Sequence, residues 1–280
     1  MNWDLVPTIC RLPRLKKLGF GSLLEAPDGE PEATEGWLPQ LEELRMGTAC
    51  VSGVKMLLPC APPALKVIRG SVDTVECLHE LITRSANHEA TMEELEVTVQ
   101  DATIRHADLC GLLQYTNLQH LEIVGFDHLT LDDGQLEPII KHLPKLRHFS
   151  VYPSVTQRRF NGADSRLTLL SLHNALQHCP DIKSIRMDVE ATEIPKLPVP
   201  DIPQLYPTSE CGISFWLGCS RILNPPLVAT WLLERLQKYS HVQVGSLYGD
   251  DWRKVGSVVS FLHRHRKGSI TLSVEPKITA

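Results

Sequence analysis

One short phrase returns along this chain at near-constant spacing: an apolar residue, two polar ones, an apolar, one variable and an apolar. It reads Leu15-Lys16-Lys17-Leu18-Gly19-Phe20, then Leu41-Glu42-Glu43-Leu44-Arg45-Met46, then more weakly from Leu65 to Ile68. It comes back as Met92-Glu93-Glu94-Leu95-Glu96-Val97, Leu118-Gln119-His120-Leu121-Glu122-Ile123, Leu146-Arg147-His148-Phe149-Ser150-Val151 and Ile182-Lys183-Ser184-Ile185-Arg186-Met187. The first positions are 26, 24, 27, 26, 28 and 36 residues apart. A unit this short cannot bury its own apolar side, so a chain built from such units has to stack them.

The approach to each phrase repeats as well. In Leu136-Glu137-Pro138-Ile139-Ile140-Lys141-His142-Leu143-Pro144-Lys145-Leu146 the apolar residues fall at helical spacing, and a proline ends the helix just before the phrase. The segment 172–182 does the same with Leu176, Cys179 and Pro180. At the chain start Leu5, Pro7, Ile9, Leu12, Pro13 and Leu15 match Leu136, Pro138, Ile140, Leu143, Pro144 and Leu146 one for one. Further strands are expected from Ile213, Val242 and Ile270, at steps of 31, 29 and 28 residues. Helices are expected over about 73–82 and 164–178, each opened by an Asp N-cap, and over 226–239 and 251–265, the last with Val255, Val258, Val259 and Leu262 on one face. Between 189 and 209, Pro195, Pro198, Pro200, Pro203 and Pro207 remove too many donors for a helix. That stretch reads as an irregular connection or, alternatively, as an exposed proline-rich docking segment.

In these phrases the chain resembles the leucine-rich-repeat family, in the strand-plus-helix form of its ribonuclease-inhibitor-like and cysteine-containing subtypes. The consensus Asn or Cys after the strand is mostly absent. The resemblance implies an α/β fold, a leucine-rich-repeat solenoid with a curved parallel sheet on its concave face and helices and irregular segments on its convex face. It implies one solenoid over 1–280, with regular repeats over 1–187, a proline-rich irregular segment over 188–209 and degenerate repeats over 210–280. The stretch Leu129 to Leu146 looks like the degenerate repeats in the C-terminal parts of fungal F-box proteins. The function implied is protein binding, as the substrate-recognition part of an F-box-like ubiquitin-ligase adaptor; the alternative is a leucine-rich-repeat inhibitor or scaffold unconnected with ubiquitin. A ubiquitin-ligase complex would be reached through a segment outside this chain. Because residues 4–12 match the second half of a repeat, the chain is expected to be a fragment with its amino-terminal edge uncovered.

Composition narrows the alternatives. A net charge of -5 and a pI near 6.2 give no long-range attraction for phosphate backbones or anionic lipid, so neither nucleic acid nor membrane is an expected partner. Eight dispersed cysteines without a C-x-x-C read as buried free thiols of an intracellular protein, cytoplasmic or nuclear. The twelve histidines contain no H-E-x-x-H, Asp132-Asp133-Gly134 and Asp250-Asp251 read as helix starts rather than calcium loops, and no nucleophile or phosphate-loop motif occurs. No enzyme activity, cofactor or metal is expected. His263-Arg264-His265-Arg266-Lys267 before Gly268 reads as a basic helix end.

Alternation leaves one coherent strip. With the first, fourth and sixth positions of each phrase inward, the residues between them emerge together: Lys17, Glu43, Arg45, Arg69, Glu94, Glu96, His120, Glu122, His148, Tyr152, Arg186 and Asp188. Of these, Arg45, Arg69, Glu94, Glu96, His120, Glu122, His148, Tyr152 and Arg186 are the candidate protein-binding residues, because the resemblance makes the concave face the usual ligand surface.

Overall fold

Every phrase becomes a β-strand, and each strand pairs in parallel with the next phrase in the chain. The computed structural model describes residues 9, 12–21, 38–58, 64–100, 102–153, 166–197, 212–217, 222–236, 239, 242–245 and 250–267. Its strands are β1 Lys17–Phe20, β2 Glu43–Ala49, β3 Val67–Val72, β4 Glu94–Val99, β5 Thr103–Ile104, β6 His120–Val124, β7 His128–Leu129, β8 His148–Tyr152, β9 Ser184–Met187, β10 Ile213–Leu217 and β11 Val242–Gly245. Nine of them form a sheet in the order β1-β2-β3-β4-β6-β8-β9-β10-β11, while β5 and β7 pair separately. The helices are α1 Val51–Leu57, α2 Val75–Arg84, α3 His106–Leu109, α4 Asp133–His142, α5 Leu169–His178, α6 Pro225–Arg235 and α7 Asp250–Lys267. Among the described residues, no helix is long and apolar enough to cross a membrane.

Two backbone devices recur and set the register. The carbonyls of Lys16, Glu42, Lys66, Glu93, Gln119 and Arg147 each accept two successive amides from the following strand, at 2.7–3.1 Å. Before the phrase, a turn closes from the first apolar residue back three positions: Leu15 to Leu12, Leu41 to Leu38, Leu118 to Tyr115, Leu146 to Leu143 and Ile182 to Cys179, at 3.0–3.4 Å. With these ends pinned, Leu18, Leu44, Ile68, Leu95, Leu121, Phe149, Ile185 and Phe215 line up across the sheet. They share one continuous core with the helices, including Leu78, Leu81, Ile139, Leu172, Leu232 and Val255. A parallel strand cannot return by a hairpin, so each connection must cross over, and here the crossovers carry α1 to α6.

Several local expectations need correcting. The N-cap of α2 is Thr74, whose hydroxyl accepts from the Cys77 amide at 3.1 Å, rather than Asp73. Helix α5 opens at Thr168, whose hydroxyl accepts from Leu170, rather than at Asp164, which lies outside the described residues. Helix α6 stops at Arg235 instead of 239. On α7, Val255 and Val259 are buried and Val258 partly so, but Leu262 is exposed, and α7 carries the basic stretch as far as Lys267. Cys77 and Cys179 are buried free thiols, whereas Cys50 and Cys110 are only partly buried. Residues 189–197 contain neither helix nor strand beyond isolated bridges at Glu190 and Ala191. The rest of the proline-rich segment, the expected strand at Ile270 and Gly268 lie outside the described residues.

Candidate functional site

The sheet has one face against the helices and one open. Along β4 and β6 the alternation is strict: Leu95, Val97, Leu121 and Ile123 are buried, while Glu94, Glu96, His120 and Glu122 between them are only partly covered. Register then turns separate strands into rows. One row crosses the sheet as Gly19, Arg45, Arg69, Glu96, Glu122, Ser150, Arg186, Trp216 and Gly245. A second row, two residues earlier, holds Lys17, Glu43, Val67, Glu94, His120, His148 and Ser184. Neighbouring members of a row stand about 4.8 Å apart, close enough for charges to pair across strands.

The amino-terminal half of this face is an ion-pair network centred on Arg69 and Glu43. Arg69 reaches Glu94 at 2.7 Å, Glu96 at 3.3 Å and Glu43 at 3.7 Å. Glu43 also holds Lys17 at 2.7 Å and the Arg45 guanidinium, and it is buried to 6% exposure. Lys17, then Arg45, hold the Glu43 carboxyl below the usual carboxylate range against the opposing effect of burial. Glu94 in turn pushes the Arg69 pKa upward.

The other half is built differently. The His120 and His148 rings lie 5.3 Å apart, tilted by 32°. His120 Nε2 approaches Glu122 at 3.8 Å, which is longer than a hydrogen bond, and this nitrogen has no hydrogen-bond partner; the contact is an attraction between charges that strengthens when the imidazole is protonated. The Glu122 carboxylate raises the pKa of His120 over the counteracting effect of burial, with Glu94 and Glu96 adding to it. His148 moves the other way, pushed down by burial and then by the positive field of His120, Lys183, Arg186 and Arg147. Beyond them the Arg186 guanidinium lies 6.0 Å from the Trp216 ring, within cation–π range.

Thus the structure places Lys17, Arg45, Arg69, Glu94, Glu96, His120, Glu122, His148 and Arg186 on one open face and joins them into two groups. Tyr152 ends β8 on the same face, and Asp188 lies just beyond the end of β9. Among the residues of this face that the strip read from the sequence leaves out, two matter most. Trp216 occupies an outward position in a strand whose phrase is degenerate, and Ser150 sits between Glu122 and Arg186 in the row.

Elsewhere the polar groups are used internally. A groove of about 260 Å³ at the starts of β3, β4, β6 and β8 is lined by Lys66, Thr91, Glu93, Asn117, Gln119 and Lys145. Its Asn117 amide donates to the Ala90 carbonyl at 2.7 Å, Lys145 donates to Asn117, and the Thr91 hydroxyl donates to the Leu65 carbonyl at 2.8 Å. Cys110 Sγ lies 3.6 Å from His106 Nδ1 one helical turn away, and also donates to the His106 carbonyl at 3.3 Å. Among the described residues, no group of three or more His, Cys, Asp or Glu side chains is placed to hold a metal ion. Compared with known proteins, the sequence matches no family model and no curated relative.

Proposed function

We propose that this chain is a leucine-rich-repeat solenoid that binds protein on the open, concave face of its sheet, and that it serves as the substrate-recognition part of an F-box-like ubiquitin-ligase adaptor. The observation that carries the binding reading is the row Arg45 to Trp216: a continuous, largely polar row seven strands wide, held on a shared core. Extended surfaces of stacked units suit protein ligands, and a strip containing Arg186, Trp216 and Tyr152 has the residue types that dominate binding energy at interfaces. The phrase spacing supports the repeat class. The likeness of residues 129–146 to F-box repeat regions supports the ubiquitin role.

The test is photo-crosslinking in cells from p-benzoylphenylalanine placed at Tyr152 on the open face or at the exposed Lys141 of α4. Protein adducts are expected from position 152, fewer from 141, and the former should fall when Glu96→Lys and Glu122→Lys are combined. Equal adducts from both positions, or adducts indifferent to the charge reversal, would overturn binding on the open face. Isolation of the full gene product with or without a ligase adaptor subunit decides the ubiquitin role separately.

A further inference from the structure

The middle of the open face contains three adjacent polar groups that the protein leaves under-satisfied. Glu122 has a side chain only 20% exposed; its close ion-pair contact is the imidazole of His120 at 3.8 Å, which holds its carboxyl down against burial, with the charge of Arg186 and then Ser150 adding to that effect. Neither His120 Nε2 nor the Ser150 hydroxyl, itself just 3% exposed, has a partner at hydrogen-bond length, although both stand near enough to Glu122 to lower its carboxyl. Strand alternation against buried Phe149 and Val151 turns Ser150 toward the open face, and register sets it beside Glu122 on one side and Arg186 on the other. Buried polar groups normally find partners, so an orphaned cluster calls for an occupant.

The chemistry of the cluster defines that occupant. A carboxylate, a hydroxyl oxygen and the unprotonated nitrogen of a neutral imidazole are all acceptors. They come from two neighbouring strands, His120 and Glu122 from β6 and Ser150 from β8, with Ser150 in register with Glu122. An ammonium is a compact charge with three rotatable donors and no acceptor, whereas a guanidinium presents its donors as a planar fork suited to paired oxygens. We propose that the open face at Glu122, His120 and Ser150 receives a lysine side chain of a protein partner, its ammonium paired with Glu122 and donating to the Ser150 hydroxyl and to His120 Nε2. This assignment rests on the open face being the binding surface. The Glu122 carboxylate takes the charge first; rotation of the side chains around it, a common change at interfaces, brings the other two acceptors into line.

The surrounding charges make the site proton-sensitive. Facing His120 are Glu94 and Glu96 from β4, Glu122 from β6 and His148 from β8; Lys183, Arg186 and Arg147 act on His148, and Arg186 also on Glu122. Protonation of His120 converts an acceptor into a donor and sets a positive charge beside the ammonium. Lysine and proton therefore compete, and capture weakens as pH falls.

The probe is the peptide acetyl-Gly-Ser-Lys-Ser-Gly-amide, with counterparts carrying Nε-acetyl-lysine or arginine, added at millimolar concentration to the full chain with labelled histidine. NMR follows the titration midpoint of His120, assigned by its disappearance in His120→Gln. The lysine peptide is expected to lower that midpoint saturably, the acetylated peptide to leave it unchanged, and the arginine peptide to act at several-fold higher concentration. Ser150→Ala should weaken the effect several-fold and Glu122→Gln should abolish it, in proteins whose thermal melts show them folded. An equal effect from the acetylated or arginine peptide, or an effect that survives Glu122→Gln, overturns the lysine assignment. If the lysine peptide is inert while crosslinks from position 152 persist and respond to charge reversal, the lysine site is wrong and the open-face reading stands; loss of both removes both.

Discussion

Leu121 is held at 1% exposure between Leu95 and Phe149, in the middle of a layer that runs across the sheet. Strands pinned at both neighbours cannot close over a truncated side chain, so Leu121→Ala should cost about 2–5 kcal/mol in denaturant unfolding. A change well under about 1 kcal/mol would remove residue 121 from the core. Glu43 is buried for the opposite reason, under cations rather than hydrocarbon. Its folded pKa lies below the unfolded value, so its stabilisation is complete above about pH 4.3 and is lost as pH falls through the folded value. Glu43→Gln should therefore flatten the acid limb of a stability–pH curve, and parallel curves for the two proteins would contradict that. The histidines contribute with opposite signs. His120, raised, adds stability below about pH 6.5 that fades as pH rises through its folded value; His148, lowered, loses stability as pH drops below about 6.5. NMR should find His120 titrating above His148, and the reverse order would exclude the Glu122 contact as its cause. Outward placement of Glu43, Glu96 and Glu122 was legible from alternation alone. The burial of Glu43 and Ser150 was not, because their cover comes from neighbouring strands, and a single strand's pattern carries no register.

Elements show the same division between what a pattern reveals and what contact decides. Strands β1 to β4, β6, β8 and β9 were legible because inward apolar positions within six residues leave little choice of face, whereas the short β5 and β7 follow no such phrase. Helix starts were less so: Asp73 and Thr74 are both good caps, and only the extended backbone of Thr74, with its hydroxyl on the Cys77 amide, separates them. Asp133 shows a link that no local pattern contains. It opens α4, yet its Oδ1 accepts from the Thr168 amide at 2.8 Å, the Ser171 amide at 3.2 Å and the Ser171 hydroxyl, while its Oδ2 accepts from the Thr168 hydroxyl at 2.6 Å. One carboxylate thus holds the first turn of α5 to the first turn of α4, where its charge also suits two helix N-termini. Asp133→Ala should cost about 1–3 kcal/mol, the penalty for stranding such donors, with faster amide exchange at Thr168 and Ser171; unchanged exchange there would show that α5 is capped without it. Gly125, at a φ of 88° just past β6, is required by geometry, since a Cβ there would stand 2.9 Å from the Val99 carbonyl oxygen.

In the whole molecule, order in space follows order in the chain. Close helix pairs run α1–α2, α2–α3, α3–α4, α4–α5 and α6–α7, alongside a sheet in which each strand touches only its neighbours in that order. No comparably close pair joins α5 to α6; the chain between them includes residues 189–197, which have no helix, and continuity there runs mainly through the β9–β10 pairing. Energy supplied by neighbours passes only to neighbours, so such a break is where cooperativity should fail first. Leu232, fully buried on α6, lies on the far side of that break. Leu232→Ala should therefore speed amide exchange across β10, β11, α6 and α7 while leaving the slowest amides of β4 and β6 nearly unaltered. If protection in β4 and β6 fell by the same factor, the sheet would be transmitting the full loss across the break, and the molecule would unfold as one unit. The two outcomes also bear on the open face, because Arg186 and Trp216 stand on opposite sides of the β9–β10 seam. A molecule that loosens there moves Trp216 away from the rest of the row before the carboxylates and histidines of β4, β6 and β8 are disturbed.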